Sequence, residues 1–277
     1  MLRATKVRIY PTEEQAEFLI AQFGAVRFAY NKALHLKNHF YRKHAVTLNP
    51  KKDLKPLLAV AKKSRKYHWL KQYDSIALQQ SIINLHTAFD NFFNPKLKAR
   101  YPKFKRRHGR QSSYHCVGVK LLDNAIKLPK MQPVKAKLHR EIIGNVKSIT
   151  LSLSNTGKFY ASILIDDGAE LPKSIQTIDK VTGIDLGLSH FATQSDGRKV
   201  ANPRFIKRAE ANLRRKQRKL SRKAKGSANR AKDRMLVAKC HEKAANSRAD
   251  FQHKLSRTLV DETQAVIVET LKSANMM

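Results

Sequence analysis

Two cysteines, one tryptophan and 21 acidic residues are all that this chain of 277 residues holds of those types. Cys116 and Cys240 stand far apart and neither belongs to a C-x-x-C pair, which excludes a disulfide framework and a self-contained cysteine zinc site. No apolar run approaches the ~20 residues of a membrane-spanning helix. Met1 to Lys6 lacks the apolar core of a signal peptide, so no membrane partner and a cytoplasmic, nucleoid-associated location are expected. The scarcity of acids has the widest consequence. Lys and Arg number 56 against 21 Asp and Glu, a net charge of +35. Self-repulsion on that scale opposes folding, and no compact enzyme for small neutral substrates needs it; a polyanionic partner, nucleic acid first, is expected. Hydrophobic residues still make up 42%, enough for a core, and that excludes a disordered basic tail.

Alternation of Thr5, Val7 and Ile9 with Lys6, Arg8 and Tyr10 predicts a strand over Leu2 to Tyr10, stopped by Pro11. Thr12 and Gln15 form a capping box ahead of a helix with Ala16, Leu19, Ile20 and Phe23 on one stripe, interrupted at Gly24 and resumed by Val26, Tyr30, Ala33, Leu34 and Phe40. These aromatics read as core. His35 and His39 have a ligand spacing, but with no third ligand in view they read as helix-surface residues. After Asn49-Pro50 and Pro56, a second long helix spans Ser75 to Phe93, with Ile76, Ile83, Phe89 and Phe93 on adjoining faces. Residues 12–98 therefore read as a helical domain.

The next segment is basic without an acid: Lys96, Lys98, Arg100, Lys103, Lys105, Arg106, Arg107 and Arg110, interleaved with Tyr101, Pro102 and Phe104. A charge run alone reads as a solvated face or linker. Interleaved aromatics fit phosphate binding with base or sugar stacking better, which makes Tyr101, Lys103, Phe104, Lys105, Arg106 and Arg107 candidate nucleic-acid contacts. Short strands follow at Tyr114–Lys120, Ala125–Leu128, Ser148–Leu153 and Lys158–Ile165, with Asn155-Thr156-Gly157 as a hairpin turn. With the first strand they could close a small β-barrel built from 1–11 plus 99–170, the helical block being its insertion. Asp166 to Lys180 reads as a linker.

From residue 180 the pattern changes again. Val181-Thr182-Gly183-Ile184-Asp185-Leu186-Gly187-Leu188 sets a carboxylate in an apolar strand flanked by glycines, a costly placement for an ion unless something compensates it. Val181–Gln194 reads as one strand, kinked or straight. Asp196-Gly197 is a hairpin signal, and Asn202-Pro203 starts a helix with Pro at its first position. That helix is covered by Arg214, Arg215, Lys216, Arg218, Lys219, Arg222 and Lys223; of these Arg214, Arg215, Arg218, Lys219 and Arg222 are candidate nucleic-acid contacts. A second helix spans Ala228 to Glu262, and Ala265 to Glu269 reads as a buried strand ending on a carboxylate. Two strands each presenting one acid, with a hairpin and helices between them, follow the order of a ribonuclease H-like sheet. Asp185 and Glu269 are thus candidate catalytic and metal ligands for Mg²⁺ or Mn²⁺ of the two-metal type, which suits phosphodiester hydrolysis because hard cations prefer oxygen donors. Asp185-Leu186-Gly187 also fits the phosphate loop of actin-like ATPases and sugar kinases, but helices covered in Arg and Lys argue against that reading.

Several stretches together resemble the TnpB (OrfB) proteins of insertion sequences, relatives of type V CRISPR effectors. They are Arg8-Ile9-Tyr10-Pro11-Thr12 with Gln15, Arg27 with Tyr30-Asn31, Tyr101-Pro102-Lys103-Phe104-Lys105, Gly183-Ile184-Asp185-Leu186-Gly187, Asn202-Pro203-Arg204-Phe205, Gln217-Arg218-Lys219-Leu220-Ser221, His241-Glu242-Lys243 through Arg248-Ala249-Asp250-Phe251, and Val268-Glu269-Thr270-Leu271. The resemblance implies an α+β, multi-domain chain: a wedge-type β-barrel with an inserted helical recognition domain, then a partial RuvC-like (ribonuclease H-like) domain over 180–277. It implies an RNA-guided DNA endonuclease with a guide RNA and a double-stranded DNA target as partners, and Asp185 and Glu269 as the first and second RuvC carboxylates. Family members continue into a four-cysteine zinc ribbon and a third RuvC Asp. Neither is in these residues, so the resemblance also implies a C-terminally truncated copy, a fragment or a split-gene product, with no zinc site. A separate polypeptide would supply the rest, and the chain alone would bind nucleic acid but cut poorly or not at all. The alternatives are a non-catalytic protein holding transposon RNA or DNA ends, and a non-specific RNA-binding protein of ribosomal type.

Overall fold

The structure, a computed structural model, describes residues 1–107, 112–170 and 178–269. Arg110, residues 171–177 of the expected linker, and Thr270 with Leu271 lie outside the described residues. The chain divides into two compact units, Met1–Leu171 and Pro172–Met277, and both mix helix with sheet. None of the described helices is long and apolar enough to cross a membrane.

The first unit starts with β1 (Leu2–Tyr10), followed by α1 (Glu13–His44), α2 (Lys55–Ala61) and α3 (Ser75–Phe93). Six more strands come after them: β2 (Ser112–Cys116), β3 (Lys120–Leu122), β4 (Ala125–Lys127), β5 (Val134–Lys137), β6 (Asn145–Leu153) and β7 (Phe159–Asp166). They form one antiparallel sheet in the order β2-β6-β7-β1-β5-β4-β3. The N-terminal strand is central in it, paired with β7 from Leu2↔Asp166 to Ile9↔Phe159 and with β5 at Arg8↔Lys137. The expected barrel is not closed by hydrogen bonds: β2 and β3 are the two ends of the ladder. Alternation sets the buried face, with Val7, Ile9, Ile149, Leu151, Ala161 and Ile163 inside. The same cluster includes Leu19, Phe23, Val26 and Leu34 of α1 and Leu78, Ile82, Leu85 and Phe89 of α3, so helices and sheet share one core. Each such side chain contributes about 1.5–3 kcal/mol by burial.

The capping box at Thr12 is formed, the Gln15 N–H donating to Thr12 Oγ1 at 3.3 Å and the Thr12 N–H to Gln15 Oε1 at 3.0 Å. Gln15 Nε2 also donates to the Pro133 carbonyl at 3.2 Å, which ties the start of α1 to the entry of β5. Four expectations change. α1 runs unbroken through Gly24, because a glycine costs a helix about 1 kcal/mol without forcing an end. Ile20, Ile76 and Phe93, placed on apolar stripes, are exposed; the core-facing stripe of α3 is Ala77, Leu78, Ile82, Leu85 and Phe89. The strand expected over Tyr114–Lys120 stops at Cys116, since Gly118 has a φ of +69°. Finally β5, whose Val-Lys-Ala-Lys is too short and too basic to signal a strand, is held between β1 and β4.

The second unit contains β8 (Val181–Asp185), β9 (His190–Gln194), β10 (Lys199–Ala201), α4 (Phe205–Ser221), α5 (Ala228–Glu262) and β11 (Ala265–Val268). Its sheet order is β10-β9-β8-β11, with β11 parallel to β8 and the other pairs antiparallel. Val181–Gln194 is therefore two strands, not one. The helix begins at Phe205, beyond Pro203, because Asn202 holds the preceding chain outside it: its Oδ1 accepts from the Arg204 N–H at 3.1 Å and its Nδ2 donates to the Leu188 carbonyl at 3.2 Å. β11 is not buried. It is the edge strand, and Ile267 and Val268 are exposed. Among the described residues, Ile184 and Ala192 are the only buried apolar side chains of this unit. Regions with few buried apolar contacts open locally at low cost, so amide exchange should be roughly tenfold or more slower in β1, β6 and β7 than in β8 and β9. Equal protection by mass spectrometry would refute this.

Candidate nucleic-acid and metal site

Asp185 is the last residue of β8, and Glu269 follows the last residue of β11. The parallel ladder runs Ala265↔Val181, Val266↔Thr182, Ile267↔Gly183 and Val268↔Ile184. The register stops there, so Asp185 and Glu269 are the next residues on the two parallel strands, at the same end of the sheet. Thr182 and Ile184 are buried, whereas Asp185 and Glu269 are exposed. The desolvation cost argued from the sequence therefore does not apply: solvent at the strand end solvates the carboxylate. Other acids have found basic partners. Asp196 meets Arg198 Nε at 2.5 Å, Glu262 meets Arg198 Nη1 at 3.0 Å, and Asp261 meets Arg257 at 2.7 Å. Among the described residues, neither the Asp185 nor the Glu269 carboxylate enters an ion pair or hydrogen bond. Like charges side by side across a ladder are destabilising, and a cation relieves them. Two exposed carboxylates suit Mg²⁺, which commonly takes one or two carboxylates and completes its shell with water and phosphate. Among the described residues, no group of three or more His, Cys, Asp or Glu side chains is placed to hold a metal. Gly187 allows the chain to turn back after Asp185, since a Cβ there would lie 3.2 Å from the His190 carbonyl oxygen.

α4 carries Arg214, Arg215, Arg218 and Lys219, spaced so that they share a helix face, and with Arg222 and Lys223 just past its C-terminus they line one open cleft. Arg214 is paired with Glu210 at 2.6 Å and Lys219 with Asp233 at 3.4 Å. Among the described residues, Arg218 and Arg222 have no acidic partner. Two residues that sequence reasoning passed over hold this helix. Asp233 is buried on α5 beneath Lys219. Arg230 sends Nη1 to the carbonyls of Leu220 at 2.9 Å and Lys223 at 2.7 Å, satisfying groups left over where α4 ends. Neither had a local signal, because each acts across the α4–α5 turn.

In the first unit, the segment Tyr101–Arg107 is pinned along its length. Asn31 Nδ2 donates to the Lys105 carbonyl at 2.9 Å, and the Lys105 N–H donates to Asn31 Oδ1 at 2.8 Å. Tyr101 donates its hydroxyl to Asn38 at 2.6 Å and sets its ring edge-on to Phe89 and Phe92 at 5.5 and 5.3 Å. The Lys105 ammonium lies 4.1 Å above the Tyr30 ring. Burial there pushes its pKa down, although the residue as a whole stays exposed. Tyr101 and Lys105 thus anchor the segment, and Lys103, Phe104, Arg106 and Arg107 project from it, exposed. Asn31→Ala should cost about 1 kcal/mol, since both bonds are exposed and water can replace them, and should speed tryptic cleavage after Lys103, Lys105 and Arg106. An unchanged digestion pattern would show that the Asn31 clamp does not hold the segment. On α1, the His35 and His39 rings stack 5.9 Å apart.

Comparison with known proteins identifies the family. Residues 168–277 match the OrfB family of the IS605 type, described as "Probable transposase", and residues 1–45 match its "Helix-turn-helix domain". In this chain that second stretch is a strand followed by one unbroken helix. A protein of Streptomyces pristinaespiralis, described as a candidate RNA-guided DNA endonuclease, is 35% identical over 99% of this chain and 68% of its own length. The virulence protein VsdF of Salmonella dublin is 69% identical over 116 residues, 40% of this chain and 98% of that protein. Among solved structures, a CRISPR-Cas12f ternary complex overlays 94% of this chain and 64% of its own with a TM-score of 0.39 and 12% identity, a likeness too slight to argue from. The chain belongs to the TnpB (OrfB) family of insertion-sequence RNA-guided DNA endonucleases.

Proposed function

We propose that this chain binds a guide-type RNA and its DNA target, and that Asp185 and Glu269 hold a divalent cation for phosphodiester hydrolysis. The observation that carries the proposal is the β8–β11 register, which ends one residue before two acids at the same end of the sheet, in a chain of net charge +35. Residues 1–11 plus 99–170 act as the wedge-like domain, 12–98 as the recognition domain and 180–277 as the RuvC-like domain. Arg214, Arg215 and Arg218 on α4 and Arg222 at its C-terminus, with Lys103, Phe104, Arg106 and Arg107, grip the nucleic-acid backbone; Lys219 adds charge while tethered to Asp233. Tyr101 and Lys105 position the segment that carries the other contacts. When bound, Mg²⁺ or Mn²⁺ supplies an activated water and charge stabilisation at the leaving oxygen. The protein's own part is to hold the backbone in register with the two carboxylates. Nucleoid association follows from DNA binding.

A second reading, a protein that holds transposon RNA or DNA ends without hydrolysis, is favoured by the lack of a third metal-capable side chain in reach of the pair among the described residues. The deciding experiment is purification at high salt from cells carrying the native locus, with sequencing of the bound RNA and a divalent-dependent cleavage assay on a matching duplex. A single RNA from the end of its own element, with cleavage, supports the first reading. The same RNA without cleavage supports the second. A smear of ribosomal and messenger RNA overturns both.

A further inference from the structure

Arg27 stands on α1, half-buried, in a cleft of about 430 Å³ between that helix and the β2–β6 ladder. Arg107 lines the same cleft, together with Ile20, Ala21, Gly24 and Leu153, and among the described residues no carboxylate does. Among the described residues, Arg27 has neither a hydrogen bond nor an ion pair. Burial first, and the Arg107 charge second, push the Arg27 guanidinium below its usual value. A desolvated cation facing a like charge is costly until an anion joins them. Two guanidiniums are well suited to phosphate, which they meet with forked, charge-assisted hydrogen bonds. The volume lies in the range of sites for small organic ligands, so the nucleoside attached to such a phosphate has space against Ile20 and Leu153.

Gly24 supports the same conclusion independently. It sits inside a long helix, where glycine is unfavourable. Its φ is not positive, and a Cβ there would meet nothing closer than Arg27 Nη2 at 3.8 Å. The backbone does not require glycine at this position; the space beside the Arg27 guanidinium is what its missing side chain leaves open.

We infer that this cleft is a second nucleic-acid contact, in which Arg27 and Arg107 clamp one backbone phosphate beside the opening left by Gly24. The inference rests on the nucleic-acid reading above and places a phosphate at a named point of the first unit, apart from α4. It is tested on the full chain by fluorescence anisotropy with a labelled single-stranded RNA across a KCl series. Arg27→Gln and Arg107→Gln should each weaken binding about tenfold and lower the salt slope by about 0.7, one phosphate contact on a single strand. Lys52→Gln, an exposed lysine elsewhere in the unit, is the control and should change little. Gly24→Leu should raise Tm and yet weaken RNA binding, a combination that a merely structural role would not produce. If Arg27→Gln and Gly24→Leu bind as Lys52→Gln does, the cleft is not a phosphate site and the wider reading stands. If the wild-type chain binds no RNA, the wider reading fails, and inorganic phosphate against KCl at equal ionic strength decides the cleft. A phosphate-specific rise in Tm that Arg27→Gln loses keeps the site; an equal rise in both proteins overturns it.

Discussion

Asp185→Ala is expected to reduce whatever Mg²⁺- or Mn²⁺-dependent cleavage the RNA-loaded chain supports by a factor on the order of 10³, the equivalent of the several kcal/mol that a bound metal supplies. Glu269→Ala should behave alike, because the proposed site joins the two acids that follow the paired ends of β8 and β11. RNA affinity should not fall in either variant, since neither carboxylate faces phosphate as a partner. A second readout does not depend on turnover. Mn²⁺ added to the wild-type chain should broaden NMR resonances at the ends of β8 and β11, and each variant should lose that broadening. Cleavage that survives Asp185→Ala would remove this residue from the site. Broadening that survives in both variants would place the cation elsewhere.

Replacing Arg214, Arg218 and Arg222 together by Gln should weaken RNA binding by about 10²–10³ at physiological salt and lower the salt slope by about 2, at about 0.7 for each contact on a single strand. α4 itself should persist, because Gln is nearly as good a helix former as Arg. Loss of the exposed Arg214–Glu210 pair costs little stability, since such pairs contribute at most about 1 kcal/mol. Circular dichroism therefore serves as the internal check. A binding loss with an unchanged salt slope would mean that these side chains read something other than phosphate, and an unchanged affinity would exclude α4 from the interface.

Features dictated by neighbouring residues were legible without coordinates. The Thr12–Gln15 cap, the Ser75–Phe93 helix, the turns at Gly157 and Gly197 and the Ala228–Glu262 helix each depend on a few adjacent side chains or on one glycine with positive φ. Where local signals competed, reading by residue type failed. Gly24 was read as a break but is carried by a helix long enough to absorb it. Pro203 was placed inside a helix although Asn202 holds the chain outside. Tyr101 and Lys105, read as nucleic-acid contacts, also engage α1 through the hydroxyl of one and the ammonium of the other, a pairing that no local pattern signalled.

Charge, acid scarcity and strand-end carboxylates are properties of composition and short range, and they were sufficient to point to a nucleic-acid partner and to Asp185 and Glu269 as residues of interest. Which groups meet is a matter of long-range pairing. Only the parallel ladder brings the strand ends before Asp185 and Glu269 together, only the packing of α1 against the β2–β6 ladder encloses Arg27 with Arg107, and only the α4–α5 turn buries Asp233 beneath Lys219. Hydrogen-bond register and helix packing are settled by burial summed over the whole unit, so a pattern of period 2 or 3.6 can name an element and its inner face without naming the element that will lie beside it.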